Sequence, residues 1–69
     1  MKDKLANTLR ETRRKAGLSQ LEAANLCKMS LSWYKYRELG LINDSDIPKL
    51  AEAIEKMEAF TEAKETLLA

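Results

Sequence analysis

The stretch SQLEAANLCKMSLSWYKYRELG, residues 19–40, holds two helix starts and two helix stops. Ser19 stands three residues before Glu22, the spacing of a capping box: the serine oxygen accepts from the third helical amide while the glutamate reaches back to the cap nitrogen. Inside the helix that follows, Leu21 and Ala24 alternate with Glu22 and Asn25, and Leu26 and Cys27 close it. Lys28 and Met29 interrupt the pattern, and Ser30 offers a second cap. A further short helix is predicted from Leu31 to about Leu39, ended by Gly40.

Two short helices across a tight three-residue turn are the frame of a helix-turn-helix. The residue types suit its sterics. The first helix crosses closely over the second, so its midpoint must be small, and Ala24 fits. The turn needs apolar anchors on either side, which Cys27 and Met29 supply. The second helix needs one inward apolar side chain near its middle, and Tyr34 occupies that place.

Upstream, Leu5, Leu9, Thr12 and Ala16 follow helical spacing, and Gly17 stops that helix as a left-handed residue past its end would. Downstream, LINDSD (41–46) reads as a connector, with Ser45 or Asp46 expected to cap a helix whose first turn tolerates Pro48. Ile47, Leu50, Ala51, Ile54 and Met57 give that helix an apolar stripe. Phe60, Ala63, Leu67 and Leu68 either continue it or form a fifth helix beginning near Thr61. No run reads as a strand. The expectation is an all-α, compact bundle of four to five short helices. It would be a single domain over 1–69, with its core in 5–58 and residues 59–69 as a C-terminal helix or tail available to a dimer.

The totals agree with a small globular unit. The chain has 69 residues, 45% apolar and 33% charged, without low-complexity runs or internal repeats. A domain this short buries little surface, so a second copy or a ligand often helps it. The single cysteine fits a reducing compartment. No apolar run approaches a membrane span and no signal peptide precedes the first helix, so a cytoplasmic location is expected. With no histidine, no glycine-rich phosphate loop and no nucleophile–base pair, an enzyme is not expected. No metal and no other cofactor is expected either, a lone cysteine being better suited to packing than to zinc.

Charge is divided along the chain. Residues 1–40 carry nine basic against four acidic side chains, net +5, whereas residues 41–69 carry three against seven, net −4. Such asymmetry suggests a polyanion for the first part and water or another protein for the second, a chance dipole being the plain alternative.

From Leu9 to Ile54 the chain resembles the Xre family of lambda-repressor-like DNA-binding domains, which includes phage Cro proteins. LRETRRKAGLSQ is similar to the family's first helix and the entry to its second. The match continues through Gln20, Ala24, Met29, Ser30, Ser32 and Glu38 to Gly40, and KLAEAI (49–54) is similar to its fourth helix. Two departures stand out: Lys28 occupies a turn position usually held by glycine, and Arg37 stands where an apolar residue is usual. The connector is also about two residues shorter than common.

The resemblance implies a sequence-specific transcriptional regulator, most simply a Cro-like repressor of a phage or mobile element acting by operator occupancy. Its partners would be double-stranded DNA and a second copy of the chain, on a near-palindromic site. With Tyr34 inward, helical phasing turns Leu31, Ser32, Lys35 and Tyr36 outward. Lys35 suits guanine O6/N7 or a phosphate, Ser32 a base or a phosphate, and Leu31 a thymine methyl. Tyr36 offers its ring and hydroxyl to the sugar-phosphate wall. Gln20 is where the family grips a phosphate or base edge. Ser30 joins these at the helix start, Arg37 either clamps a phosphate or pairs with a nearby acid, and Trp33 is expected against the fourth helix or its connector. Arg13, Arg14 and Lys15 end the first helix, where they either complement its dipole or, Arg14 above all, flank the groove.

Two other readings compete. YRELGLI (36–42) faintly resembles the end of a MerR recognition helix, which would make the chain an excisionase-like or MerR-like architectural factor. An antitoxin or anti-repressor, binding a basic protein through its acidic half, belongs to a different class.

Overall fold

The computed structural model describes residues 2–68, which form four α-helices and one short 3-10 turn, with no strand among them. The outermost residues of the expected 1–69 unit, 1 and 69, lie outside the described residues.

α1 spans Lys2–Lys15, with Asp3 in its first turn and Arg13, Arg14 and Lys15 in its last, each sign favourable to the helix dipole. It buries Ala6 and Leu9. α2 (Gln20–Leu26) starts at the expected capping box: Ser19 Oγ accepts from Glu22 N at 3.1 Å, and Ser19 N donates to Glu22 Oε1 at 2.8 Å. α3 (Leu31–Glu38) starts at Ser30, whose Oγ accepts from Trp33 N at 3.1 Å.

All three helices end alike. In each, the second residue past the cap donates back to a carbonyl five residues earlier: Leu18 N to Arg13 O, Met29 N to Ala24 O, and Leu41 N to Tyr36 O. This closure needs a left-handed residue. Gly17 (φ 74°) and Gly40 (φ 94°) provide it twice, and Lys28 (φ 57°) the third time. The lysine fits where glycine is customary at a cost of about 1–2 kcal/mol.

The connector differs from expectation. Neither Ser45 nor Asp46 caps the fourth helix. Asn43 stands at the cap position of the 3-10 turn Asp44–Asp46, with Asn43 N donating to Asp46 Oδ2 at 2.9 Å. The tight turn tucks Ile42 into the core and feeds directly into α4, Ile47–Leu68. α4 is one helix of 22 residues, so of the two alternatives Phe60, Ala63, Leu67 and Leu68 continue the fourth helix, and the bundle is not made of short helices alone. Thr61 is buried because its hydroxyl returns to Met57 O at 3.1 Å, which removes the penalty of a polar side chain on the inner face.

α4 packs against both α1 and α2. Cys27 Sγ approaches Ala53 O at 3.7 Å, and Lys64 Nζ donates to Ala16 O at 2.9 Å, tying the far end of α4 to the end of α1. Tyr34, Leu9, Leu50 and Met57 fill the centre, with alanines 6, 23, 24 and 53 where backbones approach. The longest dimension is 38 Å, against 22 and 17 Å, because α4 alone is about 33 Å long. Phe60 lies at the margin and Leu67 and Leu68 are 86% and 81% exposed, so this group does not close the core. No helix among the described residues is long and apolar enough to cross a membrane.

Candidate functional site

α3 has a buried and an outer edge. Tyr34 and Glu38, one helical turn apart, face inward. Glu38 is charged yet 4% exposed, and its surroundings explain how it is accommodated. Arg13 of α1 donates through Nε to Glu38 Oε2 at 2.7 Å and through Nη2 to Oε1 at 3.2 Å, while Gln20 Nε2 of α2 donates to Oε1 at 3.1 Å. Arg10 Nη1 donates to the Glu38 carbonyl at 2.7 Å, and its Nη2 bonds Asn7 Oδ1. Burial by itself would push the Glu38 carboxyl up; the hydrogen bonds and the Arg13 charge outweigh it, leaving the group below the usual carboxylate value. The same pairing raises Arg13. Tyr34 Oη is near enough to feel this carboxylate but has no hydrogen bond of good geometry among the described residues, and burial raises its phenol strongly.

Arg37, the departure from the apolar pattern, lies across Trp33. Its guanidinium carbon is 4.2 Å from the ring centroid, and Lys49 Nζ of α4 approaches the ring at 4.7 Å. Arg37 Nε also lies 3.2 Å from Asp46 Oδ2, an ion pair whose geometry falls short of a hydrogen bond. Lys49 of α4 thus approaches the tryptophan, and Arg37 covers it while pairing with the connector acid. Of the two roles open to Arg37 in the sequence, pairing with a nearby acid is the one its geometry adopts.

The outer edge carries Ser32, Lys35 and Tyr36, all exposed, followed by Leu39 at 72% exposure. Two shallow concavities meet there. One, of about 250 Å³, is lined by Arg10, Arg13, Arg14, Gln20, Lys35, Glu38 and Leu39. The other, of about 190 Å³, is lined by Ser32, Lys35, Tyr36 and Leu39. Lys35 and Leu39 border both. Neither Arg14 nor Lys35 has an acidic partner among the described residues.

Five of the eight sequence-selected residues, Arg14, Gln20, Ser32, Lys35 and Tyr36, thus share one continuous surface. Gln20 does so with its amide turned inward to Glu38. Ser30 is exposed but spends its hydroxyl on the cap, Leu31 is half-buried rather than fully outward, and Arg37 points to Trp33 and Asp46. The sequence reading passed over Arg10 and Leu39. Arg10 precedes Arg14 by four residues, a spacing that places both on one helix face; Leu39 offered no comparable signal. No family model matches the chain, and neither the curated proteins nor the solved structures contain a match.

Proposed function

We propose that this chain is a sequence-specific DNA-binding regulator of the lambda-repressor-like class, with α2 and α3 as its helix-turn-helix and α3 offered to the major groove. One observation carries the reading: Lys35 stands exposed on the outer edge of α3, between Ser32 and Tyr36, and shares a concave surface with Arg14 of α1, both cations without an acidic partner among the described residues. Unpaired cations along a concave surface favour a polyanion. A helix about 10–12 Å wide suits a major groove of about 12 Å.

Lys35 then bonds guanine O6/N7 or a phosphate, Ser32 a base edge or phosphate, and Tyr36 the sugar-phosphate wall; Arg14 grips the flanking backbone. Gln20 and Arg37, turned inward, hold α3 against its neighbours. The protein acts in the cytoplasm as a Cro-like repressor, by occupying its operator, with two copies on a near-palindromic site and recognition helices about 34–36 Å apart. Selection of bound sequences from random duplexes tests this. A two-fold consensus with half-sites about one turn apart is expected; recovery of no sequence above background, even at low salt, refutes it.

A further inference from the structure

The far half of α4 is the largest feature that this reading leaves unused. Ala59, Ala63 and Leu67 line an apolar groove of about 500 Å³ with Glu62 and Thr66. Glu62 also borders a second concavity, of about 310 Å³, shared with Glu58, Glu65, Thr12 and Lys15. Glu58, Glu62 and Glu65 have no salt bridge among the described residues. An exposed apolar strip floored by small residues therefore runs beside a row of free carboxylates.

What covers such a strip must be apolar and basic. Symmetric pairing of α4 with its own copy would bring Glu58, Glu62 and Glu65 against the same residues, and like charges across an interface are unfavourable. The outer edge of α3 has the opposite composition: Tyr36 and Leu39 are exposed beside the unpaired Lys35 and Arg14. One surface matches the other in both charge and apolar character. Within one molecule the two surfaces are separate, since the concavities on α4 share no lining residue with those beside α3.

We infer that in the absence of DNA the α4 groove of one copy takes the α3 outer edge of a second copy, so that self-association covers the surface that would face the duplex. The contact is between unlike surfaces, so it either closes reciprocally around a two-fold or grows into chains. The resulting competition with DNA rests on the proposed function; the association itself does not.

Sedimentation equilibrium of the full chain, alone and with a short random-sequence duplex, tests the inference. Reversible self-association is expected at low salt and should weaken roughly tenfold at high salt. Glu62→Lys/Glu65→Lys should abolish it, with the helical circular dichroism unchanged. Added duplex should dissociate the wild-type assembly. Ala63→Gln, which blocks the groove without altering charge, should raise apparent duplex affinity at protein concentrations where the wild type associates. A monomer at every concentration overturns the inference, as does association indifferent to salt and charge reversal, or an assembly that binds duplex without dissociating. If the duplex does not bind while salt-sensitive association persists, the DNA reading falls and the interface stands; if the duplex binds a chain that never self-associates, the reverse holds.

Discussion

The carboxylate of Glu38, near the end of α3, lies 2.7 Å from Arg13 Nε near the end of α1, with side-chain exposures of 3% and 13%. Gln20 of α2 joins the same carboxylate, so one buried charge fixes three helices. Its removal strands a largely buried guanidinium. Glu38→Ala is expected to cost roughly 3 kcal/mol, because Arg13 keeps only slight access to water. Urea denaturation, read as a midpoint shift at constant slope, measures it. Arg13→Met/Glu38→Leu should recover most of the loss, since two apolar groups need no counter-charge.

The same pair makes stability depend on pH. Glu38 titrates below its ordinary value in the native state, so it contributes stability above the unfolded carboxylate range, near pH 4.3, and loses it as pH falls through the native value. Between about pH 6 and about pH 3 the wild type should lose more stability than Glu38→Gln. Parallel curves for the two proteins would remove Glu38 as the source.

Lys28 pays the backbone penalty of a left-handed residue with no compensating contact among the described hydrogen bonds and ion pairs of its side chain. Lys28→Gly should therefore raise stability by about 1 kcal/mol, after allowing for the greater freedom of glycine in the unfolded chain. A higher thermal midpoint with unchanged helix content is the expected result.

Lys35 and Arg37 are separated by two positions and should behave oppositely. On the proposed function, Lys35→Ala should leave stability within about 0.5 kcal/mol and weaken specific duplex binding by roughly 1–3 kcal/mol. Arg37→Ala loses the stack on Trp33 and the Asp46 pair, costing about 1–2 kcal/mol of stability, while the affinity of the folded fraction changes little. Salt-matched binding and denaturation of the two variants separate the roles.

Local signals carried much of the architecture. Ser19 with Glu22, Ser30, Gly17 and Gly40 each set a boundary through bonds within five residues, and the structure forms those bonds. Tyr34 was placed inward as the apolar residue that the middle of α3 requires, and it is fully buried. What escaped the sequence depends on distant partners. Gln20 turns inward because a carboxylate 18 positions away accepts its amide. Asp46 pairs with Arg37, nine positions back, where the sequence offered it as a cap for α4. On the outer edge of α3, phase placed Ser32, Lys35 and Tyr36 but misplaced Leu31, and Leu39 and Arg10 belong to a surface made by two helices, which no single periodicity encodes.

The chain contains one tryptophan, and Trp33 sits in the seam between α3 and α4 with a cation approaching its ring from each helix. Its ultraviolet emission is therefore a private gauge of that seam. Parting the two helices would bare the indole to water and redden the light it emits, so unlabelled protein can report, in real time, whether a bound guest leaves the joint shut.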